Sequence, residues 1–502
     1  GQAGLVGEGW SLSEAYIERR YRSCAADTAL PEPDQVSHEG DQCWQSPVAS
    51  EPQGMDLVLN LGGVTSPLVW LQGNLYFAEA DPSIRVERLV RSGSALNGDN
   101  NSEYFIVRTS DGSRYFMGYG RAPDADPDTD VVSHTETHSV GTMPVFSDDP
   151  GEPSAGNFSV QGYRFMLDIE VDVLGNAAVY FYEKQSNRYA ANGNPATSMD
   201  YTRAIAPTSI EYGLRLTDVD TVDANFPAQA RVEYGYQGRC IAGTHYLNPL
   251  VGQPVDCPPI AQAPAQYLDV PADQLCGDVC GAGLNSPTFF HTQRLSQINT
   301  FVAVDGEWSP VETHQLIQAF PKTSQPQARA MWLDSVFTRG YLAGDVAQYK
   351  DTYAIRFYGT EYPNRVDWTA GGGDEQVSLD RRRISTIIDQ LGARTDVEYY
   401  ATYGDPSRHC PTAGAASSQY SDWNARTDKF DAKANTWDCY EVSHGAEKAL
   451  YHRYLVQSVT TSDPVAGSAA RATTYEYVGT PAWAFAKDRL YTDVEAKTNA
   501  GA

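Results

Sequence analysis

The chain has 502 residues, 41% of them hydrophobic and 11% aromatic, and a formal net charge of −27 at pH 7. Such a composition indicates a folded protein, and the acidic excess excludes nucleic acid as a partner, because phosphate backbones are bound by clustered Lys and Arg. No run approaches the roughly 18 apolar residues of a membrane-spanning helix, so no membrane span is predicted. No signal peptide is recognised, and we expect a processed or excised piece of a longer polypeptide.

Short alternating strands are predicted in the first part of the chain, since apolar and polar residues alternate with period two. They cover residues 15–19, 56–61, 68–71, 75–78, 84–89, 104–108 and 115–118. Residues 121–157 are rich in Asp, Pro, Ser and Gly and predict a long exposed loop.

A hairpin with one turn chemistry then recurs. Residues 165–183 and 383–400 each alternate, turn and return, with an Asp closing the first strand and a Gly three positions later: Asp172 and Gly175, Asp389 and Gly392. A glycine there supplies the positive φ of a tight reversal without steric cost. Shorter Asp-Gly turns are predicted at residues 111–112 and 305–306. The return strands reuse an apolar-Glu-Tyr ending at residues 210–212, 232–234, 397–399 and, as Tyr-Glu-Tyr, 475–477.

Three regions follow from this pattern. Residues 1–240 and 289–502 carry the hairpins, the latter with strands predicted at 289–304, 308–320, 331–338, 353–358, 454–462 and 471–477. Residues 241–288 are a Pro-, Gly- and Cys-rich insertion, and one short helix is predicted near 421–434. The predicted fold is all-β: repeated antiparallel hairpins forming a curved sheet or shell-like architecture with long decorated loops.

The eight cysteines fall into four pairs of sequence neighbours: Cys24 with Cys43, Cys240 with Cys257, Cys276 with Cys280, and Cys410 with Cys439. Sequence cannot choose rigorously among 105 pairings. Local disulfides are favoured over zinc, because no second matched Cys/His pair follows Cys276 and Cys280 at zinc-finger distance. Disulfides imply an oxidising compartment, hence secretion or the cell surface.

Metal sites were weighed at four places. His134-Thr135-Glu136-Thr137-His138 has two histidines four apart, but the surrounding residues predict a strand rather than the helix of a zinc protease. The acidic loops 97–103, 124–130 and 148–152 offer oxygen ligands compatible with calcium, although none fits the twelve-residue calcium loop. Turns rich in Asp and Asn without metal are the preferred interpretation, so no cofactor is predicted.

No catalytic group of residues is better explained by chemistry than by structure. Asp168, Glu170 and Asp172 are predicted to share a solvated sheet face, which explains them without a glycosidase mechanism. The basic clusters 19–22 and 381–383 are predicted to be solvated strand edges. No nucleophile elbow, phosphate loop or dinucleotide motif is found.

The chain resembles the amino-terminal, pre-repeat portion of the secreted RHS/YD-repeat proteins of actinobacteria, relatives of bacterial polymorphic toxins. The resemblance rests on Gly9-Trp10-Ser11-Leu12, Tyr16-Ile17-Glu18-Arg19, Tyr21-Arg22-Ser23-Cys24, Gly40-Asp41-Gln42-Cys43-Trp44, Asn97-Gly98-Asp99-Asn100, Glu103-Tyr104, Met143-Pro144-Val145-Phe146, Gly151-Glu152-Pro153, Asp172, Gly175-Asn176, Ser286-Pro287-Thr288-Phe289-Phe290, Leu333-Asp334-Ser335, Pro363-Asn364-Arg365-Val366-Asp367, Tyr475-Glu476-Tyr477 and Ala482-Trp483-Ala484. Dense tandem YD repeats and the autocleaving carboxy-terminal core motif of the family are missing.

The resemblance implies a β-rich polypeptide that spirals into a hollow shell around a carboxy-terminal toxic or effector domain. The leading hypothesis is therefore a non-enzymatic wall segment, whose partners are the rest of the same polypeptide and its enclosed cargo. The alternative is a surface adhesin that binds a protein or stacks glycans on loop tryptophans, with Trp44, Trp368, Trp423 and Trp437 as candidates. A hydrolase acting on an extracellular polymer is the third hypothesis.

Overall fold

The structure is a computed structural model of the whole chain. The residues it describes are 2–26, 38–44, 56–91, 97–123, 135–147, 152, 156–241, 257–277, 279–281, 283–321, 329–342, 345–364, 380–400, 438–444, 447–479, 481, 483–487 and 495–499. Within them the fold is all-β, as predicted, and the helices are single 3₁₀ turns.

The strands of the first half are β1 (Tyr16–Arg20), β2 (Arg22–Ser23), β3 (Gln42–Cys43), β4 (Asp56–Leu61), β5 (Val64–Gln72), β6 (Leu75–Ala78), β7 (Arg85–Val90), β8 (Glu103–Arg108), β9 (Arg114–Met117), β10 (Val140–Ser147), β11 (Asn157–Val171), β12 (Asn176–Ala190), β13 (Ser198–Asp218), β14 (Thr221–Val222) and β15 (Ala230–Gly238). The 3₁₀ turns are Cys24–Ala26, Ala191–Gly193, Pro195–Thr197, Pro264–Gln266 and Ala272–Gln274.

The strands of the second half are β16 (Gln293–Val304), β17 (Glu307–Ala319), β18 (Trp332–Leu342), β19 (Asp345–Asp351), β20 (Ile355–Pro363), β21 (Asp380–Ile388), β22 (Arg394–Tyr399), β23 (Cys439–His444), β24 (Glu447–His452), β25 (Val456–Asp463), β26 (Ser468–Thr474), β27 (Trp483–Lys487) and β28 (Glu495–Asn499). The strand predictions of both halves are therefore confirmed to within a few residues at most ends.

Eight strands close into an antiparallel barrel. The hydrogen-bonded order runs β1, β4, β5, β6, β7, β8, β9 and β11, and β11 pairs back with β1. Alternate side chains point inward and fill the interior, as period-two alternation requires in a small barrel. Its centre holds Ile17, Phe105, Met117 and Phe165, and the rings of Phe105 and Phe165 meet edge to face at 5.0 Å. The sequence predicted these strands but not their closure.

A long antiparallel ribbon leaves the barrel through β11. Its strand order is β11, β12, β13, β15, β16, β17, β18, β20, β21, β22, β25 and β26. Every neighbouring pair is antiparallel, so successive connections alternate between the two edges of the ribbon. One edge has short turns, whereas the other carries the long connections, including the 239–292 region.

The amino-terminal residues 2–14, here called the N-terminal strap, cross the ribbon. Leu5 and Val6 are buried against Leu295, Leu316 and Trp332. The carbonyl of Leu5 accepts the N–H of Leu295, and the Glu8 N–H donates to the carbonyl of Met331. The strap thereby covers apolar side chains of β16, β17 and β18 that would otherwise face water.

The turn predictions are confirmed. Gly175 and Gly392 have φ of +86° and +92°, in the left-handed region that favours glycine. The prediction that residues 121–157 form one exposed loop is wrong, because β10 lies within it and buries Val140 and Val145 against β11 and its neighbours. β10 escaped notice because its Gly and Pro are poor strand formers. The predicted helix near 421–434 lies outside the described residues, and the three-region division stays a prediction.

Candidate functional site

A buried ion pair lies inside the barrel. The guanidinium of Arg19 donates to both carboxylate oxygens of Glu103, at 2.7 and 2.5 Å, and both side chains are 1% exposed. Arg88 contacts the same carboxylate from β7. Burial alone would raise the pKa of Glu103, but the two arginines hold it below its usual range. The charge cluster ties β1 to β7 and β8 within the barrel wall.

The 97–103 loop, weighed above as a calcium site, serves this cluster. Asp99 is fully buried, and its carboxylate accepts the N–H groups of Gly162, Asn101 and Glu103 at 2.7–3.2 Å. The Asn97 amide donates to the carbonyls of Glu103 and Gly118. Because these polar atoms satisfy one another, the loop is a structural turn with its oxygens turned inward.

Asp168 is a second buried carboxylate, at the junction of barrel and ribbon. Its oxygens accept the backbone N–H groups of Tyr119 and Gly120, at 2.5 and 3.0 Å, and the hydroxyl of Thr137. Burial raises the pKa of Asp168 to about 6, and these hydrogen bonds oppose the shift only in part. The carboxylate holds the base of the chain segment that leaves and re-enters the barrel near residues 120 and 137.

The predicted shared face of Asp168, Glu170 and Asp172 is wrong. A β-bulge at Asp168, seen as a register shift between Leu167 and Ile169 against β9, turns its side chain inward. Glu170 accepts a hydrogen bond from Tyr180, and Asp172 caps the turn after β11 through the N–H groups of Leu174 and Asn176. The three carboxylates therefore do not converge.

A third charged anchor joins the strap, the insertion and the ribbon. Arg239 is fully buried and forms a two-bond ion pair with Asp269, at 2.8 and 2.6 Å. The same guanidinium donates to the carbonyls of Ala3 and Gly4. One side chain thus fixes the N-terminal strap and the insertion at the end of β15, and it compensates for its own desolvation through five polar contacts.

Three of the four predicted cysteine pairs are disulfides in the structure: Cys24–Cys43, Cys240–Cys257 and Cys276–Cys280. Cys439 is buried. Its predicted partner Cys410 lies outside the described residues, so that pair stays a prediction. Two of the disulfides staple the insertion, and Cys240 and Cys280 pack in buried positions there.

The remaining candidate ligands and basic clusters lie apart. Within the described ranges, no three His, Cys, Asp or Glu side chains are grouped as a metal site would require. His138 and Glu136 form an exposed pair at 3.1 Å, and His134 lies outside those ranges. The prediction of solvated basic edges is wrong for Arg19, which is buried, and for Arg381, which pairs with Glu8 of the strap.

The adhesin hypothesis loses one of its candidates. Trp44 is 6% exposed and packs edge to face on Tyr21 at 5.3 Å, so it cannot stack on a sugar. Trp368, Trp423 and Trp437 lie outside the described residues. Sequence reasoning also missed Glu103, Arg239 and Asp269 as anchors. The only available signal was a charged residue placed between apolar ones at an inward-facing strand position, as at Ile17, Arg19 and Tyr21.

No protein-family model matches the chain, and no curated protein matches its sequence. Among solved structures, the N-terminal domain of the effector protein SpvB from Salmonella typhimurium strain LT2 is similar over 68% of this chain and 91% of that domain, with 13% identity and a TM-score of 0.33. TcdB2-TccC3 is similar over 94% of this chain and 20% of its own, with 12% identity and a TM-score of 0.35.

A Photorhabdus luminescens Tc holotoxin pore structure is similar over 96% of this chain and 23% of its own, with 11% identity and a TM-score of 0.36. The chain thus spans about a fifth of the Tc chains that it resembles. Each TM-score lies below 0.5, and the function proposed below therefore rests on the geometry of the chain itself. No helix among the described residues is long and apolar enough to cross a membrane.

Proposed function

We propose that this chain is a non-enzymatic structural segment of a secreted RHS/YD-repeat polypeptide. In this proposal the ribbon forms part of the wall of a shell that encloses or presents a carboxy-terminal toxin or effector. The barrel and the buried charged anchors fix one end of that wall.

The burial pattern of the ribbon carries the proposal. The residues of β15 are all half-buried, those of β21 nearly all, and those of β26 are all exposed. Fully buried runs are confined to the strands near the barrel, such as β11. A compact enzyme packs a sheet between layers and buries one face completely. A wall with a wet surface on each side instead leaves most of its side chains half-covered.

The disulfides support the secreted part of the proposal, because such bonds persist in oxidising compartments. The non-enzymatic part is supported by the way the buried carboxylates are used. Glu103, Asp99, Asp168 and Asp269 all accept hydrogen bonds or ion pairs that hold backbone segments together.

Electron microscopy of the native polypeptide that contains this segment tests the proposal. We expect a hollow particle whose wall is one ribbon thick, and a cargo that resists protease until the wall is opened. A solid or beaded particle would contradict the shell. Turnover of polysaccharide or peptide substrates by residues 1–502 would contradict the non-enzymatic role.

Glycan binding is the second candidate, because Tyr353 is 82% exposed and Tyr349 and Tyr358 are also exposed on β19 and β20. Exposed aromatic rings are the side chains on which sugars stack. A glycan array bound by the wild type and lost in Tyr353→Ala would favour this function, whereas a blank array would remove it.

A further inference from the structure

The short-turn edge of the ribbon carries a row of exposed aliphatic side chains. We call this edge the turn rim and define it by Val173, Leu174, Val304, Val346, Leu391 and Val465. Each lies at a reversal between neighbouring strands, and Leu174, Leu391 and Val465 are 66%, 81% and 77% exposed. Single exposed aliphatic residues are ordinary, but a row along one edge indicates an interaction surface.

The turns hold these side chains in fixed positions. Asp172, Asp389 and Asp463 each accept the N–H of the aliphatic residue two positions later, at 2.8–3.1 Å, and a second N–H of the same turn. The same device therefore recurs at three turns separated by tens to hundreds of residues. Pre-ordered side chains lose little conformational entropy when a partner covers them.

The opposite edge of the ribbon is already covered by this chain. The N–H of Ala190 donates to the carbonyl of Leu284, the Asn187 amide donates to the carbonyl of Gln274, and Tyr201 bonds Thr288. These contacts pack the disulfide-stapled insertion against the end of β12 and the start of β13. The ribbon thus has one edge sealed by protein and one edge with uncovered apolar tips.

The spacing of the tips selects the kind of partner. Neighbouring strands lie about 4.8 Å apart, so successive turns on one edge of an antiparallel ribbon repeat every ~10 Å. A second antiparallel ribbon has the same repeat, whereas a helix repeats every ~5.4 Å and a lipid surface has none. Each tip also carries an Asp, which disfavours two turn rims facing each other and favours a partner edge with Lys or Arg.

We propose that the turn rim is the lateral seam on which an adjoining antiparallel ribbon of the same shell polypeptide docks, with basic residues facing the turn aspartates. The inference rests on the proposed shell. It names what the wall contacts along its edge: another strip of wall, rather than cargo, lipid or a second molecule.

Hydroxyl-radical footprinting with mass spectrometry tests it, with the native polypeptide compared with residues 1–502 alone. We expect at least a five-fold lower oxidation of Leu174, Leu391 and Val465 in the native polypeptide. Val279, which is 69% exposed on the opposite edge of the ribbon, reports any general loss of accessibility. The triple variant Leu174→Ser, Leu391→Ser, Val465→Ser should leave the melting of residues 1–502 unchanged and make the native particle protease-sensitive, whereas Val279→Ser should not.

The outcomes separate the seam from the shell. Equal oxidation of the tips in both samples, with a hollow particle still visible, overturns the seam and leaves the shell intact. Protection of residues 1–502 that grows with their own concentration, or on phosphatidylcholine vesicles, also overturns the seam and identifies self-association or lipid as the occupant. If no hollow particle is found, the proposed function fails, and the seam fails with it.

Discussion

Arg19 and Glu103 lie 84 residues apart in the chain and meet as a buried, two-bond ion pair inside the barrel. Arg19 is on β1 and Glu103 begins β8, two strands that are not neighbours in the barrel. The pair therefore acts across the interior, and it joins the amino-terminal strand to the opposite wall.

Replacing Arg19 by Met should destabilise the barrel strongly, because it leaves the Glu103 carboxylate buried without its main partner. Breaking a buried pair costs about 3–5 kcal/mol, whereas replacing both partners by apolar residues recovers much of that loss. We expect Arg19→Met with Glu103→Leu to be more stable than Arg19→Met alone in urea unfolding. The control is Arg20→Met, whose side chain is 53% exposed and should change stability by less than about 0.5 kcal/mol. Equal effects at the two positions would contradict the ion-pair account.

Asp168 should make stability fall as pH rises through the mildly acidic range. Its pKa is about 6 in the fold against 3.8 ordinarily, so the folded state holds the proton more tightly than the unfolded chain. The resulting stabilisation is complete below pH 4 and is lost as pH rises to 6, by at most about 3 kcal/mol. Urea unfolding between pH 4 and 7 should show this slope in the wild type and not in Asp168→Asn. Wild-type stability that rises across this window relative to the variant would contradict the assignment.

Arg239 should control how firmly the N-terminal strap is held. Arg239→Met removes the ion pair with Asp269 and the bonds to the Ala3 and Gly4 carbonyls, so the strap should detach locally. Amide exchange of Leu295, whose N–H donates to Leu5, should accelerate at least about ten-fold. Arg231→Met, at a half-exposed arginine of the same strand, is the matched control. Unchanged exchange at Leu295 would show that packing alone holds the strap.

Chelation of divalent cations should leave the barrel unaffected. The Asp99 oxygens are occupied by N–H groups of Gly162, Asn101 and Glu103, so a calcium ion has no free ligands there. Melting before and after dialysis against EDTA should agree within about 1 °C, since a bound ion stabilises by mass action and its loss would lower the midpoint. A large fall that calcium restores would instead place a metal elsewhere in the chain.

Peptide mapping without reductant should find four local disulfides. Three are present in the structure, and Cys410–Cys439 is the prediction that remains. Replacing both Cys240 and Cys257 by Ala should cost about 2–3 kcal/mol of unfolding free energy in the chain-entropy model. A Cys410 that reacts freely with a thiol reagent in the unreduced protein would contradict the fourth pair.

The sequence by itself determined the strands, the turns and the cysteine pairs. These are local properties: alternation sets a strand, Asp172 with Gly175 and Asp389 with Gly392 set a reversal, and neighbouring cysteines close short loops. Because each depends on residues close in the chain, a pattern of a few positions is enough to predict it.

Only the tertiary structure decided which strands close the barrel and which charges are buried. The pairing of β1 with β11 joins residues about 150 positions apart, and nothing local to Tyr16 or Met166 specifies it. A single bulge at Asp168 reversed the face on which its carboxylate lies. Arg19 and Arg239 look like surface residues in the sequence, because the partners that make their burial tolerable, Glu103 and Asp269, are brought near only by the complete fold.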